Sequence, residues 1–212
     1  MSKLKIKVCG MTDVGNVEEV CSASPDYLGY IFYSKSARYV GDHPDPELFS
    51  IVPTTIKKTA VFVNEKYERV KEIMKRYGID HIQLHGMESP EMCKLLRSSG
   101  KVVIKALPGD QLENEKLIAE YSAASDFLLF DTPVISHGGS GRKFDWSKLR
   151  ELESTANFFL SGGIAHDDAV TFLSMKYRNL YAVDINSRFE TEPGIKNSEL
   201  VRSFINRIRN EE

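Results

Sequence analysis

The chain has 212 residues, 42% of them hydrophobic, and a formal net charge of −2. That length buries a sizeable core, while the charge balance excludes broad nucleic-acid binding, which needs a concentrated basic surface. No run approaches the ~18 apolar residues of a membrane span, and the basic start, Met1 to Lys7, lacks the apolar stretch of a signal peptide. A soluble, cytoplasmic protein is expected, with neither nucleic acid nor membrane as a partner.

Short apolar runs recur roughly every 20 to 30 residues and read as strands. In chain order they are Leu4–Val8, Tyr27–Phe32, Thr59–Val63, His81–Leu84, Lys101–Leu107, Phe127–Phe130, Phe158–Leu160 and Tyr181–Ile185. Helical periodicity fills the gaps: Tyr67, Val70, Ile73, Met74 and Tyr77 make one apolar stripe, and Leu200, Val201, Phe204, Ile205 and Ile208 another. Ser89-Pro90-Glu91 reads as an N-cap, a first-position proline and a first-turn carboxylate, and Gly78 and Gly100 follow helix ends. Nearly continuous apolar strands alternating with helices imply a parallel sheet buried on both faces, and eight such units fit a closed (β/α)₈ barrel, one domain spanning residues 1–212. No G-x-G-x-x-G follows the first strand and no G-x-x-x-x-G-K-[ST] occurs, so the usual dinucleotide and nucleotide-phosphate motifs are missing.

Several runs end directly in a chemically capable residue: Cys9-Gly10, His85-Gly86, Asp131-Thr132, Ser161-Gly162-Gly163 and Asn186-Ser187. In an α/β barrel the strand ends build the active site. Lys7 and Cys9 share a strand face, as do Gln83 with His85 and Asp184 with Asn186. Closure of the barrel sets the first strand beside the last, so Lys7 and Asp184 are expected to pair inside and organise the site. A cation near Cys9 favours the thiolate, which can act as a base; the competing reading is a small core residue. Asp131 ends an apolar run that would raise its pKa and keep it an acid, or it caps a loop. His85 either meets substrate or bonds a neighbouring loop.

Ser161-Gly162-Gly163-Ile164, before a helix expected near His166-Asp167, offers backbone N–H groups to an anion, and with Asn186-Ser187 it lies where such barrels often hold phosphate. The segment His137 to Trp146 reads as a glycine-rich lid, with Trp146 packing the next helix. Cys21 and Cys93 fall on helical apolar stripes and read as packing residues; no Cys-x-x-Cys pair or other metal-ligand spacing is present, so no metal is expected.

Taken together, Lys7-Val8-Cys9-Gly10-Met11-Thr12, Ser36-Ala37-Arg38-Tyr39-Val40, Val61-Phe62-Val63-Asn64, Gln83-Leu84-His85-Gly86, Phe130-Asp131-Thr132, Gly138-Gly139-Ser140-Gly141 with Phe144-Asp145-Trp146, and Ser161-Gly162-Gly163-Ile164 resemble the phosphoribosylanthranilate isomerase family over the whole chain. The resemblance implies a (β/α)₈ barrel that performs an Amadori rearrangement on a phosphoribosylated anthranilate without metal or organic cofactor, as a monomer or homodimer. It implies Cys9 as general base, Asp131 as general acid, and Arg38 facing the anthranilate carboxylate. The chain departs from the family pattern at Arg188, where glycine is usual, and at Ala37, where proline is common. A two-phosphate sugar isomerase of histidine synthesis and a catalytically silent metabolite-binding barrel are the competing readings.

Overall fold

The computed structural model describes residues 3–131, 146, 148–149, 156–175, 177 and 179–210. Eight strands, β1 (Lys5–Cys9), β2 (Tyr27–Ile31), β3 (Lys57–Phe62), β4 (His81–Leu84), β5 (Val102–Pro108), β6 (Phe127–Asp131), β7 (Phe158–Leu160) and β8 (Leu180–Ile185), are all parallel and close into a barrel. Their bounds lie within two residues of those read from the apolar runs. Closure is made by β1 against β8, with Lys7 directly opposite Asp184.

Helices α1 (Val14–Ser22), α2 (Glu47–Ser50), α3 (Tyr67–Arg76), α4 (Pro90–Ser98), α5 (Glu115–Ala124), α6 (Asp168–Ser174) and α7 (Ser198–Asn210) lie between the strands and after the last. Each capping expectation is met: Ser89 accepts from the Met92 N–H with Pro90 at the first helical position, and Gly78 and Gly100 take φ of 59° and 80° just past α3 and α4. On α3 the stripe residues Val70, Ile73 and Met74 are buried, and α7 sinks Val201, Phe204, Ile205 and Ile208 completely. Each such side chain stabilises the fold by about 1.5–3 kcal/mol relative to exposure. Cys93 is buried and Cys21 partly buried against this core; burial pushes both thiols up to about 11, as befits packing residues.

Two cores result from the alternation of side chains along the strands. The larger lies between barrel and helices. The smaller fills the barrel's interior with Tyr27, Ile104, Ala106, Leu129, Phe159 and Ala182. There the Tyr27 and Phe159 rings meet edge to face at 5.4 Å, and the Tyr27 and Tyr181 hydroxyls share a 2.9 Å hydrogen bond.

After β8 the chain makes a 3₁₀ turn, Ser187–Phe189, and a small hairpin, β9 (Glu190–Glu192) with β10 (Ile195–Lys196). The expected lid, 137–145, and Thr132 lie outside the described residues. Trp146 is buried and stacks on Phe172 of α6 at 5.0 Å, the packing role expected of it. Among the described residues no helix is long and apolar enough to cross a membrane.

Candidate active site

Because the strands are parallel, Cys9, His85, Asp131, Ser161 and Asn186 all emerge at one face of the barrel. Below them the interior is polar. Lys7 donates to Asp184 at 2.7 Å, both side chains essentially sealed from water, so the expected pair forms. Burial alone would lower the Lys7 pKa, but the Asp184 carboxylate outweighs it and holds the ammonium charged. Asp184 Oδ1 and the buried Gln83 Oε1 find no partner among the described residues, so acceptors point into this interior.

Cys9 is 4% exposed and presses against β2, where a Cβ on Gly29 would lie 2.7 Å from its sulfur. Lys7 stands beside it and Lys196, from the hairpin, contributes a second positive field. The expectation that a cation brings the thiol below its ordinary value is overturned: burial raises its pKa, and Lys7 and Lys196 only partly offset that. The resting group is therefore a thiol set among cations that favour its ionised form.

Asp131 is paired. His85 Nε2 stands 3.3 Å from its carboxylate, and His85 Nδ1 lies 2.7 Å from Gln83 Nε2. With the amide nitrogen donating, Nδ1 accepts and the proton sits on Nε2, facing Asp131. The surround is not the apolar one anticipated, since the Asp131 side chain is 27% exposed and faces an imidazole. Of the two readings of His85, substrate or a neighbouring loop, the loop contact is not the one its side chain makes; the imidazole joins Gln83 to the Asp131 carboxylate at the mouth.

Arg38 lies over Gly10, where a Cβ would come within 2.7 Å of its Cδ and 2.9 Å of Asn186 Oδ1. Its guanidinium makes a two-bond pair with Glu190, Nε to Oε1 at 2.8 Å and Nη2 to Oε2 at 2.6 Å. The departure at Ala37 leaves the loop held in other ways: the Arg38 N–H donates to Ser36 Oγ and Val40 N–H to Ile31 O.

Gly162 and Gly163 both take positive φ, 94° and 66°, in the loop after β7. The following helix starts at Asp168, slightly later than expected, because the Asp168 carboxylate accepts the Ala165 N–H at 2.7 Å and ties the approach to α6. His166 instead reaches Ser203 Oγ. Arg188 does not share the positive φ that would demand glycine; it is exposed in the 3₁₀ turn while Phe189 anchors that turn against Phe204. The departure from the family's glycine is thereby accommodated.

Sequence reasoning missed four buried charges here. Lys196 and Glu190 sit in the hairpin beside Arg38 and Asn186. Lys105 and Glu88 pair at 2.9 Å behind the β4 loop, where Lys105 also donates to the Leu84 and Gly86 carbonyls, and Glu88 accepts from the Asn64 and Gly86 N–H groups. A lone lysine inside the apolar run Lys101–Leu107 was the one available signal. Among the described residues no group of three or more His, Cys, Asp and Glu is placed to hold a metal ion.

The chain matches the family model for N-(5'-phosphoribosyl)anthranilate (PRA) isomerase over residues 6–207. The N-(5'-phosphoribosyl)anthranilate isomerase of Parabacteroides distasonis is 38% identical over 96% of this chain and 92% of its own length, and that of Phocaeicola vulgatus 36% over 96% and 97%. The solved phosphoribosyl anthranilate isomerase of Thermotoga maritima superposes with a TM-score of 0.85 at 28% identity, covering 98% of this chain and 99% of that one. Another phosphoribosyl anthranilate isomerase, solved in complex with reduced 1-(o-carboxyphenylamino)-1-deoxyribulose 5-phosphate, matches at 0.82 and 26% over 98% and 99%. A closed eight-stranded barrel with these strand ends, matched along nearly its whole length, makes this chain a member of the N-(5'-phosphoribosyl)anthranilate isomerase family.

Proposed function

We propose that this chain, as one barrel domain, converts N-(5-phosphoribosyl)anthranilate into 1-(2-carboxyphenylamino)-1-deoxyribulose 5-phosphate, with Asp131 as general acid, Cys9 as general base and no cofactor. Asp131 gives a proton to the ribose ring oxygen as the C1–O bond breaks, and the anthranilate nitrogen lone pair forms the iminium. Cys9, having released its own proton to solvent before the ligand fills the mouth, then acts as thiolate beside Lys7 and Lys196 and takes the C2 proton, and the electron pair neutralises the iminium, leaving an enolamine. Loss of the C2 hydroxyl proton and protonation at C1 complete the aminoketone.

The observation that carries this reading is the setting of Cys9. A residue that merely fills space needs no buried ammonium beside it, yet Lys7 and Lys196 both bear on this sulfur. Across the mouth His85 gives Asp131 a partner that can return its proton between turnovers. Arg38 suits a carboxylate, because a guanidinium offers two parallel donors. The successive glycines Gly162 and Gly163, with Asn186 and Ser187 just past the end of the neighbouring strand β8, suit the phosphate by backbone N–H groups. Lys7, Gln83 and Asp184 organise the floor. The competing two-phosphate isomerase and silent-barrel readings are not favoured by the family match.

Monomer and homodimer are both compatible, since the T. maritima relative is a dimer that has also been solved as monomers. Function in the cytoplasm fits the soluble substrate.

The test is turnover of phosphoribosylanthranilate, followed by loss of anthranilate-type fluorescence, beside thermal unfolding. Cys9→Ala and Asp131→Asn are each expected to lose about 10²–10⁴ in rate while staying folded. Near-normal turnover in a folded Cys9→Ala variant removes the thiol from the mechanism.

A further inference from the structure

The hairpin after β8 holds two buried charges, Lys196 and Glu190, and the reaction above gives Glu190 no part. Lys196 Nζ is fully buried and donates to Glu190 Oε1 at 2.5 Å and to Asn186 Oδ1 at 2.7 Å. Its backbone is clasped by α1: the Lys196 N–H donates to Asn16 Oδ1 at 2.7 Å, and Asn16 Nδ2 donates to the Lys196 carbonyl at 2.8 Å. Glu190, its side chain 5% exposed, takes a second hydrogen bond from the Gly194 N–H at 3.1 Å. Two donors thus hold the glutamate before Arg38 is counted, and Arg38 adds two more with its Nε and Nη2.

Burying so much charge is costly unless the arrangement does something that an apolar cluster would not. Here it sets an orientation. A free arginine side chain carries considerable rotamer entropy, and a two-bond pair with an immobile carboxylate removes it. Arg38 Nη1 makes no hydrogen bond among the described residues, so one donor edge of the guanidinium stays available while the other is locked. Arg38 Cδ packs over Gly10, the residue after Cys9, and Cys9 lies within electrostatic reach of the Arg38 charge, so the guanidinium stands near the Cys9 strand end. Burial opposes the Glu190 charge, but hydrogen bonds from Arg38 and Lys196 hold its pKa below the usual carboxylate range, so the mount is anionic at neutral pH.

We infer that Glu190 and Lys196 are positioning residues that set specificity for a carboxylate-bearing substrate: they mount Arg38 with one guanidinium edge turned toward the ligand's carboxylate, without touching the ligand themselves. This rests on the isomerase reading. The carboxylate enters a position for which the guanidinium is already oriented, and Lys196 holds Glu190 in place when a second anion approaches. A ligand lacking the carboxylate gains nothing from the mount.

The experiment uses the full chain and two probes, the reduced product analogue carrying its aryl carboxylate and the same compound as the carboxamide, with inorganic phosphate as control. In Glu190→Gln, KM is expected to rise about tenfold with kcat changed by less than about threefold, and the preference for carboxylate over carboxamide to shrink by a similar factor. Phosphate inhibition should stay within about twofold, a split that general loosening of the fold does not produce. Lys196→Met should shrink the carboxylate preference more weakly, and kcat should fall with it because the Lys196 charge also bears on Cys9. Should Glu190→Gln fail to fold, Glu190→Asp carries the same comparison, because its shorter carboxylate cannot span both partners. An unchanged preference in the folded variant overturns the inference, and so does a lowered KM, which would make Glu190 a competitor for the guanidinium rather than its mount. If the unaltered chain neither turns over phosphoribosylanthranilate nor binds the reduced product, the isomerase reading fails instead, so the two failures are separable.

Discussion

Gly10 shows how narrowly the site is drawn at the scale of one residue. It takes φ of 83°, and any side chain there meets Arg38 Cδ and Asn186 Oδ1 at distances no real Cβ adopts. Gly10→Ala therefore combines backbone strain of about 1–3 kcal/mol with displacement of Arg38 or Asn186. We expect a lowered unfolding temperature and a loss of kcat/KM beyond what the stability change explains, read by turnover at a temperature where the variant is fully folded. Undiminished kcat/KM there would mean that neither side chain has to stay put. The motif Lys7-Val8-Cys9-Gly10 was legible in the sequence, but the reason for its glycine was not. The atoms that crowd it belong to residues 28 and 176 positions away, and only closure of the barrel brings them together.

At the scale of an element, the loop after β4 depends on the Glu88–Lys105 pair behind it. Glu88 fixes the Asn64 and Gly86 N–H groups while Lys105 gathers the Leu84 and Gly86 carbonyls, so the stretch that carries His85 is held from both sides. Burial raises the Glu88 pKa, but Lys105 and the backbone donors outweigh it and hold the group below the ordinary glutamate range. The unfolded chain then binds a proton before the folded one as pH falls. Stability from this group is complete above the unfolded value of about 4.3 and is lost as pH drops through the lower folded value. Denaturant midpoints taken from about pH 6 to about pH 3 should fall, and Glu88→Gln should flatten that slope. The substitution should also cost about 3–5 kcal/mol near neutrality, since it leaves Lys105 buried without its counter-ion. A slope unchanged by Glu88→Gln would assign the acid sensitivity elsewhere. Element boundaries themselves were legible because apolar period and caps are local properties. Pairings such as His85 with Asp131, or Arg38 with Glu190 at a separation of 152 residues, depend on which loops meet over the mouth, and periodicity carries no information on that.

At the scale of the whole molecule, the Lys7–Asp184 pair was foreseeable because a closed sheet must make neighbours of its first and last strands, and the register then sets these two side chains opposite each other. Its position inside the barrel ties closure of the fold to assembly of the site. The aromatic packing beneath it has a further consequence for traffic. With Tyr27, Leu129 and Phe159 filling the interior below Lys7, the barrel is blind-ended, and ligand, solvent and protons share the single rim at the strand ends. Under the proposed mechanism, once a ligand fills that rim, the proton that Cys9 would take up has no drain through the floor. It waits on the sulfur for the intermediate or for product departure, and the traffic of protons becomes a matter of how long the rim stays occupied.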